Sequence, residues 1–228
     1  MVGIEPLSPK TPLIDEVTET IRAAILGGTF HAGEQIFQAD VARRLQVSRG
    51  PVREALRFLI GEGLVREEPR RGTFVVSPGP EDVREIYDLR VALEVRAGQL
   101  VLRGNARETL ENMGRALNSL VVAVEHRDVE HIAAADLAFH ESLCRGSGNQ
   151  RLVTLFRQQS VPVRQLIRID EASYYNLSAL VGEHRVLLAE LRRGNADVFA
   201  ALLTEHIEEA RDRLIAYIEA NTRQAEAG

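Results

Sequence analysis

A chain of 228 residues is long enough for two domains, each with its own core. At 45% hydrophobic and 27% charged, with one cysteine and no tryptophan, it reads as an ordinary globular protein in a reducing compartment, and a disulfide-built scaffold is excluded. The net charge of −5 is unevenly spread: residues 41–76 hold eight arginines against four glutamates, a local +4, which leaves −9 on the rest.

Met1–Pro12 carries Glu5 and three prolines without the apolar core of a secretory leader. Apolar runs such as Leu117–Val124 are broken by Asn118 and Ser119, so no membrane span is expected and the expected compartment is the cytoplasm. Leu13, Val17, Ile21 and Ile25 recur every fourth residue and predict an amphipathic helix over 11–26, ended by Gly27 and Gly28. Phe30–Gly33 reads as a loop leading into Gln35-Ile36-Phe37.

Residues 40–76 carry the densest information. Val41, Ala42 and Leu45 share one face of a short helix, and Gln46-Val47 forms a turn. Ser48 is placed to N-cap the next helix, and Pro51 falls in its first turn, where a missing N–H costs nothing. Val52, Ala55, Leu56 and Leu59 point inward, leaving Arg49, Gly50, Arg53 and Arg57 outside. A helix with an apolar back and an arginine-rich front, following a short helix, is the recognition element of a helix-turn-helix, suited to phosphates and guanine edges. Leu64–Glu67 and Thr73–Val76 then alternate as a hairpin around Pro69-Arg70-Arg71-Gly72, a wing whose glycine permits the turn and whose two arginines project.

Ser77-Pro78-Gly79-Pro80 is a sharp change of composition. It divides a winged helix-turn-helix domain at 1–76 from a helical domain at 81–228, with 77–80 as linker. Six helices are expected in the second domain: 81–103, 107–126, 128–145, 149–170, 173–193 and 195–221. Their short Gly- and Asn-bearing connections predict an antiparallel all-α bundle. The fold class is therefore mainly α.

Four polar residues fall on apolar stripes of this bundle. Asp136 and His140, i and i+4, lie within the stripe of Ile132, Phe139 and Leu143. His184 is centred among Leu177, Leu180, Leu187, Leu188 and Leu191, and His206 among Phe199, Leu202, Ala210 and Tyr217. One such histidine is ordinarily a satisfied core residue. Three with an aspartate need a common partner, and a divalent metal supplies it: Zn²⁺ first, with Ni²⁺, Co²⁺ or Mn²⁺ also suited. His31, His126 and His131 are expected to face solvent. Arg90 falls between Ile86, Leu89, Leu93 and Ala97 and is either ion-paired with Glu94 or available to a ligand carboxylate. Cys144 reads as a small buried hydrophobe.

Taken together, the motifs resemble the GntR family of bacterial transcription regulators, and within it the FadR-type subfamily whose all-helical effector domain is named FCD. The first part of the resemblance is carried by Asp40-Val41-Ala42, Val47-Ser48-Arg49, Pro51–Leu56, Glu62–Val65 and Arg71–Val75. The second is carried by Asp136-x-x-Phe139-His140, Ser147-Gly148-Asn149, Glu183-His184 and His206. It implies that Ser48, Arg49, Gly50 and Arg53 contact double-stranded operator DNA together with the wing tip, Arg70, Arg71 and Gly72. It also implies that Asp136, His140, His184 and His206 are metal ligands and that a small organic acid binds beside the metal; Arg90, from its own position, is that acid's candidate partner, and a homodimer reading a palindromic site is the expected assembly. Ala39, Gly50 and Ala32 depart from the family's usual arginine, threonine and proline, so the operator sequence does not carry over. Two rivals remain: a metal-dependent enzyme fused to a DNA-binding head, and a regulator whose metal is purely structural.

Overall fold

The computed structural model describes residues 13–104, 106–169 and 177–227. The expectations for Met1–Pro12 and for the stretches at Asn105, Asp170 and Ser173–Asn176 lie outside these residues. The chain divides into two compact units, Met1–Ser77 and Pro78–Gly228.

In the first unit, α1 (Leu13–Leu26), α2 (Gln38–Leu45) and α3 (Arg49–Gly61) accompany three short strands: β1 (Gln35–Ile36), β2 (Val65–Glu68) and β3 (Gly72–Val75). The sheet order is β1-β3-β2, all antiparallel, with Val65 opposite Val75 and Glu68 opposite Gly72. The hairpin thus lies one residue from its sequence-predicted bounds. The strand at Gln35–Ile36 is new, and at two residues it is too short to show a period. Val17, Ile21 and Ile25 of α1 meet Val52, Leu56 and Leu59 of α3 in the core, while Leu13, the first residue of the expected stripe, is exposed. Each fully buried aliphatic side chain here contributes about 1.5–3 kcal/mol. Arg22 of α1 clamps Glu62 at the end of α3 through two bonds, Nε–Oε2 at 2.9 Å and Nη2–Oε1 at 2.5 Å.

The second unit holds α4 (Pro80–Arg103), α5 (Arg107–His126), α6 (Val129–Gly146), α7 (Gln150–Ile169), α8 (Leu177–Arg193) and α9 (Ala196–Ala227). Pro80, placed in the linker by the sequence, is the first residue of α4, where its fixed φ suits a helix start. α4 packs against α6, α7 and α9, α5 against α6 and α8, and α8 against α9, around one core that includes Leu120, Phe139, Phe156, Leu187 and Phe199. α4 and α9 approach closely at Gly98, where a methyl group would collide with the ring of Phe199. On α9 the buried stripe is Phe199, Leu203, Ile207 and Leu214; the expected Leu202, Ala210 and Tyr217 are only half-buried. Among the described residues, no helix is long and apolar enough to cross a membrane.

Candidate metal centre and nucleic-acid interface

In the first unit, α2 ends on Gln46, whose backbone is left-handed (φ 55°) and whose N–H bonds back to Ala42 and Arg43 carbonyls. This tight turn sets α3 at its angle to α2. Ser48 occupies the N-cap of α3 with extended backbone, yet its hydroxyl makes no capping bond, contrary to the sequence expectation. The hydroxyl is exposed at the start of the helix. Arg49, Arg53 and Arg57 are exposed along one side, with Arg57 3.0 Å from Glu54. A Cβ at Gly50 would meet only Ser48 Oγ at 3.9 Å, so packing within the head does not require glycine there.

At the wing, the left-handed residue in the loop is Arg70 (φ 65°), with Gly72 at φ 110° completing the turn. Arg70 is exposed. Arg71 projects as expected, its side chain 70% exposed, while its guanidinium pairs with Glu68 and lies 5.3 Å from the centre of the Phe74 ring, and its carbonyl accepts from Gln35 Nε2 at 2.5 Å. The wing is therefore stiffened by β1, the strand the sequence did not reveal.

In the second unit, Asp136, His140, His184 and His206 come together, all buried, from α6, α8 and α9. One donor atom from each lies within 4.8 Å of every other. Neighbouring ligands on tetrahedral zinc stand ~3.3 Å apart for bonds of about 2.0–2.1 Å, so the group is slightly open for that ion. His184 Nε2 is 3.0 Å and His140 Nε2 4.0 Å from Asp136 Oδ1. His140 and His206 stack with ring centres 5.4 Å apart, and His184 stands edge-on to both.

The outer nitrogens fix this arrangement. His140 Nδ1–H donates to Glu94 Oε2 at 2.5 Å, His184 Nδ1–H to the Leu180 carbonyl at 2.8 Å, and His206 Nδ1–H to Glu183 Oε2 at 2.8 Å. All three acceptors lack a hydrogen, so each neutral ring must carry its proton on Nδ1 and present the Nε2 lone pair inward. His140 Nε2 is buried with no hydrogen-bond partner among the described residues, and His184 Nε2, likewise buried, has Asp136 Oδ1 at 3.0 Å as its neighbour. Orphaned buried acceptors are costly, and a cation shared among them removes the cost. The donor set therefore fits a divalent metal.

Protonation at Asp136 and His206 favours the same reading, while the proton that Asp136 draws onto His184 would have to leave before an ion binds. Burial would raise the Asp136 carboxyl, but the imidazoles of His184 and His140 and the more distant Arg90 hold it well below the carboxylate range. Burial pushes the His206 imidazole down to about 4, against the pull of Glu183. Burial also disfavours the His184 cation, yet the contact with Asp136 outweighs it and raises that group. An ionised aspartate and a neutral His206 are the forms a metal takes.

Arg90 is buried and paired rather than free: its Nε donates to Glu94 Oε1 at 2.9 Å, the internal ion pair that the sequence left open. Its guanidinium also lies 5.1 Å from the centre of the Tyr87 ring. The buried side of α4 runs Val83, Tyr87, Arg90, Glu94, Ala97 and Val101, so Arg90 sits in the middle of the seam, not at its margin. Sequence reasoning missed Glu94 and Glu183 as supports of the histidines. The available signals were Glu94's place one turn after Arg90 and Glu183's adjacency to His184. His31, His126 and His131 are exposed, and Cys144 is buried, as expected.

A winged helix-turn-helix unit and an all-helical unit with a buried polar centre define a class: transcriptional regulators. Comparison with known proteins gives the particular family. The FCD domain profile matches residues 85–209, and that of the bacterial regulatory proteins of the gntR family matches residues 13–75. The chain is 29% identical to the uncharacterized HTH-type transcriptional regulator YdhC of Bacillus subtilis (strain 168), over 84% of this chain and 86% of that one. It is 21% identical to the gluconate operon transcriptional repressor of Bacillus licheniformis, covering 85% and 82% respectively. A crystal structure of a GntR regulator from Rhodococcus sp. RHA1 superposes with a TM-score of 0.79 at 28% identity, over 90% of this chain and 99% of that one. The chain belongs to the GntR family of transcriptional regulators, in its FCD-bearing branch, and this family comprises regulators, not enzymes.

Proposed function

We propose that the protein is a cytoplasmic, homodimeric repressor whose hold on a palindromic operator is set by a small carboxylate metabolite bound beside a divalent metal. Asp136, His140, His184 and His206 hold the ion, with Zn²⁺ the first choice. Glu94 and Glu183 fix the rings of His140 and His206. The observation that carries this reading is the trio of imidazoles anchored at Nδ1 around Asp136, with the inward nitrogen of His140 buried without a partner. The repressor assignment draws on relatives such as the gluconate operon repressor, whose name describes that protein's role.

The head would dock α3 in the major groove through Ser48, Arg49, Gly50 and Arg53, with Arg70, Arg71 and Gly72 at flanking phosphates. When bound, the metal supplies a Lewis-acidic centre for carboxylate oxygens. Because its donors lie on α6, α8 and α9, ligation would tie three helices to one point. If that packing biases the heads, operator and effector affinities are coupled reciprocally. Arg90 remains the candidate cation for the effector, which would compete for it with Glu94.

One observation favours a rival. Four protein donors fill a tetrahedral zinc shell, and closed shells are the mark of structural zinc. An octahedral ion keeps two positions open. Operator binding should be titrated with apo, zinc-, nickel- and manganese-loaded protein against a panel of small carboxylates. A metal-dependent change in operator affinity on adding one acid is expected. A metal that binds stoichiometrically while no acid moves operator affinity would leave it a structural ion.

A further inference from the structure

Two carboxylates, Glu67 and Glu68, sit in the wing, where negative charge opposes DNA. The wing turn is closed by the Arg71 N–H, which donates to the Glu68 carbonyl at 3.0 Å across Pro69 and Arg70. Proline at the first central position and the left-handed backbone of Arg70 (φ 65°) at the second are the pattern of a type II turn. This closure brings the side chains of Glu68 and Arg71 to one spot. Arg66 lies two residues before Glu68 on β2, so the alternation of the strand puts it on the same face. Glu67, between them, is exposed on the other face and makes no ion pair among the described residues.

One carboxylate therefore serves two guanidinium groups. Glu68 Oε1 accepts from Arg66 Nε at 3.1 Å and Nη2 at 3.0 Å, and Oε2 accepts from Arg71 Nη1. The Glu68 side chain is 21% exposed, against 48% for Arg66 and 70% for Arg71, so two outward arginines surround a carboxylate set back between them. A DNA phosphate offers the same pair of anionic oxygens to the same forked donors.

We propose that Glu68 is an internal stand-in for a DNA phosphate, competing with the duplex backbone for Arg66 and Arg71 and so holding down the sequence-independent affinity of the head. The proposal rests on the reading above that the wing meets flanking phosphates, and it adds Arg66 to that contact. A phosphate arriving at Arg71 must share the guanidinium with Glu68 or displace it, and either course leaves two anions close together. Arg70 makes no ion pair among the described residues and meets phosphate without such an exchange. Phosphate contacts carry no sequence information, so what Glu68 withholds it withholds from every duplex alike. A segment with eight arginines gains from this restraint, because uniform affinity for DNA competes with residence at one site.

A random-sequence DNA duplex is the probe, titrated with the full chain by fluorescence anisotropy over a range of salt. Glu68→Gln should tighten binding by ~10-fold at low salt and steepen the log–log salt slope by about 0.9 for each guanidinium freed, ~1–2 in all. Glu67→Gln removes the same charge one residue away and should tighten binding by no more than ~2–3-fold, with the slope unchanged. In an Arg66→Ala/Arg71→Ala background, Glu68→Gln should add no more than Glu67→Gln does, since its effect runs through those two side chains. The melting temperature of Glu68→Gln should stay in place, because part-exposed ion pairs add little to stability. Glu68→Gln indistinguishable from Glu67→Gln, while Arg70→Ala weakens binding, would overturn the competition and leave the wing's phosphate contacts standing. Binding untouched by Arg70→Ala and by Arg66→Ala/Arg71→Ala would overturn both.

Discussion

The two units keep their functional residues in opposite physical conditions. In the head, Arg49, Arg53 and Arg70 lie in water, where an unpaired charge costs little and a surface pair such as Arg57–Glu54 adds little. In the body, Asp136, His140, His184, Glu94 and Arg90 are each at most 5% exposed, and every polar atom must be matched. Exposed charge therefore says what partner a surface suits but leaves the fold indifferent to it. Buried charge says that the fold itself was built around the group.

Substitutions can break this contrast, and the body should register the largest effects. His184→Ala should abolish stoichiometric metal binding, read by elemental analysis. It should also cost the metal-free protein about 3 kcal/mol in denaturant melts, because the buried Asp136 carboxylate loses its nearest polar neighbour. Retained stoichiometry would remove His184 from the centre. Next comes Gly98→Ala, which forces a methyl into the Phe199 ring and should destabilise the protein by about 1–3 kcal/mol. Glu94→Gln should weaken metal binding ~10–100-fold in a chelator competition, the usual range for a residue that orients a ligand, with the ion still bound at saturation. An affinity unchanged by Glu94→Gln would mean that His140 needs no outer anchor.

The head should respond in the reverse way. Arg53→Ala should leave the melting temperature where it was, yet weaken operator binding by ~10-fold or more. If Arg53 meets phosphate, the salt slope should fall by ~1; if it reads guanine, discrimination at one base should relax. A loss of fold stability with operator affinity intact would invert the comparison. Smallest of all, Glu54→Gln should change neither stability nor metal content, because its ion pair with Arg57 is solvent-exposed.

The same contrast explains what could be read in the sequence. The six body helices were legible because apolar periodicity runs through most of them. His184 and Asp136 were legible because each interrupts such a run. Glu94 and Arg90 were harder, since the buried seam of α4 alternates with charged residues and its amphipathic contrast is weak. On α9 the stripe was misjudged by one residue, Leu202 for Leu203, because both neighbours are leucine and only packing separates them. β1 was invisible, and with it the bond from Gln35 to the Arg71 carbonyl that ties the wing to the sheet. The missing Ser48 cap shows that residue type at a helix start does not fix what its hydroxyl touches.

The three anchored histidines have one further consequence. With Nδ1 protonated in each neutral ring by its hydrogen-bond geometry, the centre holds the minor tautomer of free imidazole at three places at once. Nitrogen chemical shifts of His140, His184 and His206 should therefore already stand apart from those of His31, His126 and His131 before any ion is added. Metal arrival would then move only the inner nitrogens. The imidazoles are thus built-in reporters of occupancy, readable one ring at a time in the intact protein.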